Sequence, residues 1–114
     1  MSPRSVDVVQ GTLDMLALKA LSWRPMHGHA VLAWLRTTTN SELQVDGAAL
    51  YPALHRLEER GLIEAEWGVS KNNRRAKYYH LTAQGRAALR SQAATWQQYV
   101  NVVARIMTAT DQPA

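Results

Sequence analysis

At Gly61 the hydrophobic period of the chain changes. Before it, from about Asp46 to Arg60, apolar side chains recur at helical spacing, and Leu50, Leu54 and Leu57 form one stripe. After it, "LIEAEWG" alternates, with Ile63, Ala65 and Trp67 on one side and Glu64 and Glu66 on the other, which is the period of a strand. Asp46 suits the N-cap of the helix and Gly61 its C-terminal stop. Pro52 lies inside the helix, where it removes one backbone hydrogen bond and either bends the element or delays its start. A second strand-like run, "AKYYHLT", comes next. Gly68 and the Asn72–Asn73 pair mark the turn between the two strands. A helix that stops on glycine and runs straight into a hairpin leaves few architectures open.

The flanking elements narrow the choice. "GTLDMLALKALS" reads as a helix with Leu13, Leu16, Ala17, Ala20 and Leu21 on one face, started at Thr12 or Asp14 and ended before Pro25. "HGHAVLAWLRTT" is a second helix with Val31, Leu32 and Leu35 inward, followed by the loop "TTTNS". A long last helix begins after Thr82 as N-cap, with Gly85 in its first turn. The residues after it, "TDQPA", are expected to fray. Helix, helix, helix, strand, strand, helix is the layout of a winged helix-turn-helix: an α+β, mostly α fold in which the third helix enters the major groove of DNA and the hairpin reaches its flank. The expected division is a DNA-binding unit over residues 1–81 and a dimerisation helix over 82–114.

Charge supports that layout. Thirteen Lys and Arg stand against nine Asp and Glu, a formal net charge of +4. Lys71, Arg74, Arg75 and Lys77 crowd into the hairpin turn with no acid among them, so the rest of the chain is nearly balanced. A concentrated excess of this kind suits a polyanion, although a solvated turn has the same composition. With the leucine stripe inward, the third helix turns Ala48, Ala49, Tyr51, Pro52, His55, Arg56 and Glu59 outward. Tyr51 and His55 can bond phosphates or base edges, and Ala49 can meet a thymine methyl.

"ALYPALHRLEERGLIEAEWG" followed by "NNRRAKYYHLTAQGR" resembles the PadR family of bacterial transcriptional regulators, and the likeness runs from about Gly11 to Met107. It implies a repressor that dimerises through its last helix and binds a pseudo-palindromic operator. It also implies that Tyr51, Pro52, His55 and Arg56 of the helix, with Arg74, Arg75 and Lys77 of the wing, touch double-stranded DNA. Many members carry a Glu-Gly pair and often a hydroxyl residue before "LYP". Here the run is Gly47, Ala48, Ala49, so one donor toward DNA is missing, which bears on operator sequence. His27 stands where an aromatic or aliphatic residue is common. The rival reading is a winged-helix module that docks a protein and never binds DNA; the acid-free wing speaks against it.

In the last helix Leu89, Ala93, Trp96, Val100, Val103 and Met107 follow alternating spacings of four and three, a seam sustained for nearly three heptads and widened by Tyr99 and Ile106. So small a domain needs only part of it. Val9, Leu13, Leu16 and Ala20 offer a matching seam on the first helix, and a two-fold arrangement with each last helix on the partner's first would satisfy both. A single long helix folded back on its own domain is the alternative. In some PadR members a tryptophan matching Trp96 lines a pocket between subunits and stacks on planar aromatic ligands. That resemblance implies a small planar aromatic effector held at Trp96, beside which Tyr99 offers a hydroxyl to orient it, against the commoner role of a tryptophan on a helical stripe, which is packing.

Other chemistries find no support. His27 and His29 with a distant His55 do not supply the three converging ligands of a zinc site. No nucleophile elbow or paired carboxylates occur, and the basic turn lacks the glycine spacing and Lys-Ser/Thr ending of a phosphate loop, so neither an enzyme nor a cofactor is expected. No apolar run is long enough for a membrane span, "MSPRSVDVVQ" has no apolar export core, and cysteine is absent. A cytoplasmic protein is expected.

Overall fold

The computed structural model describes residues 5–114. The elements run β1 (Val6–Asp7), α1 (Leu13–Leu21), β2 (Met26–His27), α2 (Gly28–Thr38), β3 (Leu43–Gln44), α3 (Gly47–Glu59), β4 (Ile63–Val69), β5 (Arg75–Leu81) and α4 (Ala83–Met107). The expected helices and hairpin are present in the expected order. The first four residues of the 1–81 unit lie outside the described residues.

Local chemistry sets most of the boundaries. Asp46 is the N-cap of α3 and accepts from the Ala49 amide at 3.0 Å. The helix starts there at full strength and runs through Pro52. Gly61 ends the run with φ +75°, a conformation that favours glycine. Thr82 caps α4: its hydroxyl accepts from the Gly85 amide at 3.0 Å and donates to the Gly61 carbonyl at 2.7 Å, tying the start of the last helix to the end of α3. Thr12 precedes α1 but does not cap it, because its hydroxyl donates to the Val9 carbonyl.

The core is shared by α1, α2, α3 and the hairpin. Leu50, Leu54 and Leu57 are fully buried, joined by Ala53, Leu18, Leu21, Val31 and Ile63. Leu18 was not in the expected stripe of α1. Leu13 and Leu16, which were, lie half-buried at its edge, packed against the core. α1 is therefore rotated so that its first turn leans toward α4 and its last two turns enter the core.

β4 and β5 pair antiparallel from Ile63 opposite Leu81 to Val69 opposite Arg75, and β2 adds a third strand on the outer side of β5. β1 and β3 form a separate two-residue parallel pair. One expectation for the hairpin fails. Gly68 belongs to the strand, opposite Ala76, and not to the turn; a Cβ there would press on the Tyr78 ring at 3.2 Å. Trp67 shares the face of Ile63 and Ala65 yet is 60% exposed, because the hairpin runs out past the end of the core.

Candidate nucleic-acid interface

The turn of the hairpin is closed by backbone bonds from the Ser70 amide to the Arg74 carbonyl and from the Asn73 amide to the Ser70 carbonyl, with Asn73 at φ +58°. Asparagine tolerates that conformation better than most residues. The turn holds Lys71 and Arg74 out in solvent, and neither has an ion-pair partner among the described residues. Arg75 begins β5 and lays its guanidinium over the exposed Trp67 ring, 4.4 Å from the centroid. This contact covers the tryptophan that the core does not reach and makes the wing stiffer at its base.

A cleft of about 810 Å³ separates the wing from the start of α2 and from Tyr51 of α3. Its walls carry Arg24, His27, His29, Lys71, Arg74, Arg75 and Lys77, and among the described residues no acidic side chain lines it. His27 is fixed in this cleft by two contacts. Its Nδ1 accepts from the Ala30 amide at 3.0 Å as the N-cap of α2, and its ring meets the edge of Tyr78 with centroids 5.4 Å apart. Tyr51 is seated on two glycines. A Cβ at Gly28 would overlap its ring, and one at Gly47 would come within 3.2 Å of it. The starts of α2 and α3 thus aim Tyr51 into the cleft, with half of its surface exposed.

On α3 the side chains of Ala48, Ala49, Tyr51, Pro52, His55, Arg56 and Glu59 are all exposed, as expected. They are not equally free. His55 Nε2 lies 2.9 Å from Glu59 one turn on. Arg56 donates to Asp14 of α1 at 2.9 Å, and Arg60 stands 3.9 Å from the same carboxylate. Lys77 donates to Glu58 of α3 at 3.0 Å. That hydrogen bond holds the Lys77 ammonium above its ordinary value of 10.5, against a smaller opposing effect of burial. For a lysine with a raised value, the stabilisation is fully present below 10.5 and is lost only as pH rises past the folded value, so the pair is intact throughout the neutral range. Of the cations the sequence nominates for DNA, Lys71 and Arg74 are free, Arg75 is stacked, and Arg56 and Lys77 are engaged by carboxylates.

Sequence reasoning missed Arg24, His29 and Tyr78 as lining groups. Arg24 looked like a helix terminator beside Pro25. Asp14 and Glu58, which engage two of the nominated cations, were also missed.

The dimer candidates divide. Leu89 packs on the protomer's own core together with Leu13 and Leu16, and Ala20, expected on the outer seam, is fully buried. Beyond Leu89 the stripe of α4 leaves the domain. Trp96 and Val103 are half-buried, Val100 lies at the edge of exposure, and Met107 is 75% exposed. Trp96 and Tyr99, with rings 6.3 Å apart, face Val9, Thr12 and Met15 across a cleft of about 480 Å³.

Three helices, a capped third helix with a polar outer face, and a hairpin with a cationic tip define a winged-helix protein. A family model, the transcriptional regulator PadR-like family, matches residues 17–91, and the chain belongs to that family, whose members are transcriptional regulators. A PadR family transcriptional regulator from Eggerthella lenta is 30% identical and superimposes with a TM-score of 0.72, covering 89% of this chain and 86% of that one. A PadR family transcription regulator from Clostridium difficile is 25% identical with a TM-score of 0.73, covering 85% and 99%. An uncharacterized protein of Lysinibacillus sphaericus is 28% identical over 97 residues, 85% of this chain and 89% of that one.

Proposed function

We propose that this regulator is a cytoplasmic repressor that binds a pseudo-palindromic operator in double-stranded DNA as a homodimer. The observation that carries the reading is the acid-free cleft: Arg24, Lys71 and Arg74 surround it without ion-pair partners among the described residues, next to the outward face of α3. Unpaired cations release counterions when they meet phosphates; paired ones do so far less. In this reading Ala49, Tyr51, Pro52 and His55 read base edges, while Lys71, Arg74 and Arg75 of the wing and Arg24 of the body hold the backbone. The protein-docking alternative gives no reason for a cleft without acids.

The exposed stripe of α4 favours pairing. The chain has a radius of gyration of 16.7 Å, against about 13 Å for a compact domain of this length. α4 has 25 residues and spans ~37 Å. Trp96, Val100, Val103 and Met107 of two copies, closed around a two-fold axis, would remove that surface from water. The unit of residues 1–81 then carries the DNA contacts and residues 82–114 the dimer. The cleft beside Trp96 and Tyr99 is apolar, of a size for one small planar aromatic effector, and it adjoins the dimer surface. Such a ligand releases the operator only if it prefers the non-binding spacing of the two wings.

The test is binding to duplex DNA as salt is varied. Three wing cations in each of two subunits meet up to about six phosphates and contribute about −5 to the log–log slope, to which Arg24 adds. A flat response would leave the protein-docking reading in place of this one.

A further inference from the structure

The outward face of α3 is bordered by an ion pair on each side. Toward α1, Asp14 holds Arg56 at 2.9 Å and stands 3.9 Å from Arg60. Toward the wing, Glu58 holds Lys77 at 3.0 Å. Residues 56 and 58 lie about 200° apart around the helix, so the two contacts act on opposite flanks. Between them, His55 and Ala48 point straight out, and Tyr51 leans to the wing side, into the cleft. We propose that these pairs set the rotation of α3 between the body and the wing, making Arg56 and Lys77 positioning residues and not phosphate contacts. The inference rests on the DNA-binding reading.

The fully buried stripe of Leu50, Leu54 and Leu57 fixes the depth of α3 and its inward face, and leaves only small rotations about the helix axis. Contacts at the two edges act on that rotation with the longest lever. Each is partly exposed: the side chains of Arg56 and Asp14 are 53% and 21% exposed, and those of Lys77 and Glu58 35% and 32%. Pairs of that exposure add little to global stability. Their consequence is therefore for pose.

The charge arithmetic agrees. Glu58 cancels Lys77, and Asp14 cancels one of two arginines, so at separations larger than the 3.0 Å and 2.9 Å within the pairs these residues attract a phosphate far less than Lys71 or Arg74. The Lys77 ammonium also lies 5.4 Å from the Tyr79 ring centroid, and Tyr79 is itself buried. The lysine stem thus crosses the inner face of the hairpin toward α3, away from the free tip.

Two readings predict opposite signs for Glu58→Gln. The probes are a duplex enriched from a random library by the wild type, and the unselected pool. If Lys77 positions the helix, affinity for the enriched duplex falls about 3- to 10-fold over two subunits. Affinity for the pool and the salt slope then stay unchanged, and wing amides exchange faster in the free protein. If Lys77 is a phosphate contact restrained by Glu58, the variant binds both DNAs more tightly with a steeper slope, and the proposal is overturned. The exchange of charges, Glu58→Lys with Lys77→Glu, should restore discrimination; persistent loss in the double variant also overturns it. Asp14→Asn repeats the test on the other flank, with lower discrimination expected and tighter binding to both DNAs as the overturning result. A wild type that enriches no duplex sinks the DNA-binding function itself. One that enriches a duplex while Glu58→Gln gains affinity sinks only the positioning role.

Discussion

α3 and the outer part of α4 carry apolar stripes of similar make-up and meet opposite fates. Leu50, Leu54 and Leu57 of α3 are sealed by α1, α2 and the hairpin, with no surface left in solvent. Tyr99, Ile106 and Met107 of α4 are 60%, 69% and 75% exposed. Within the described chain, Gly85 is the one buried residue of α4. An amphipathic pattern therefore states that a face seeks cover but not what covers it. In α3 the cover is the chain itself; in the outer part of α4 the described residues leave Tyr99, Ile106 and Met107 in solvent, and in the proposed dimer a second copy covers the stripe.

The comparison breaks most sharply at Val103. Placing aspartate there sets an unpaired charge on the proposed seam, at roughly 3–5 kcal/mol for each buried charge. Sedimentation at micromolar concentration should show the wild type as a dimer and Val103→Asp as a monomer, with the far-ultraviolet signal of the first three helices kept. A monomeric wild type would mean that α4 simply bears its stripe in water.

Gly85 joins the two regions, and its replacement should show that the join is rigid. It lies so close to the Leu62 carbonyl oxygen that a Cβ would overlap it. Leu62 is backbone of the α3–β4 junction, which the Thr82 bonds to Gly61 and Gly85 also hold. Gly85→Ala must push the first turn of α4 off the domain, at a cost of about 3 kcal/mol. Urea unfolding should register this as a lower midpoint with an unchanged slope. The sequence places Gly85 only in the first turn of the helix; the crowding that requires glycine there comes from a carbonyl 23 positions earlier.

What was legible in the chain follows the same division between near and far. Asp46, Gly61 and Thr82 act within a few residues of themselves, and each was readable as a cap or a stop. The leucine stripe of α3 and the outward set around Tyr51 and His55 follow from helical period alone. Trp67 lies on the face that strand alternation assigns it, but alternation continues past the point where the core ends, and only the packing beneath a strand says where that is. β1, β2 and β3 are two residues each, too short to show any period. The engagement of Arg56 by Asp14 spans 42 positions, and that of Lys77 by Glu58 spans 19; no local pattern carries such pairs. Arg24 reached the candidate interface by the return of the chain at Pro25, which local reading takes only as a break.

His27 offers a milder perturbation on the α2 side of the cleft. Its Nδ1 caps α2, so His27→Ala leaves the Ala30 amide without that acceptor, at about 1 kcal/mol. The ring also supports Tyr78, so operator affinity should fall along with thermal stability. His27→Asn keeps a capping oxygen and should return most of the stability but not the ring contact. If both variants melt like the wild type, the cap carries no weight.

Arg74 should give the smallest effect on the fold and still mark the difference between the two surfaces. It is exposed at the hairpin tip and has no ion-pair partner among the described residues. Its hydrogen bonds at the turn run through its backbone: the carbonyl accepts from the Ser70 amide at 2.8 Å and the amide donates to Ser70 Oγ at 3.4 Å, and both survive any change of the Arg74 side chain. Arg74→Ala should therefore alter stability by no more than about 0.5 kcal/mol and leave the dimer unchanged in sedimentation. On DNA it removes one cation from each subunit. If both meet phosphates, the log–log salt slope flattens by about 2, and enriched and unselected duplexes lose affinity alike, because phosphates carry no sequence. A loss confined to the enriched duplex would instead place Arg74 in a groove among base edges, with discrimination shared between wing and helix. An unchanged slope would remove the wing tip from the interface and leave Arg24 and the face of α3 to hold the DNA.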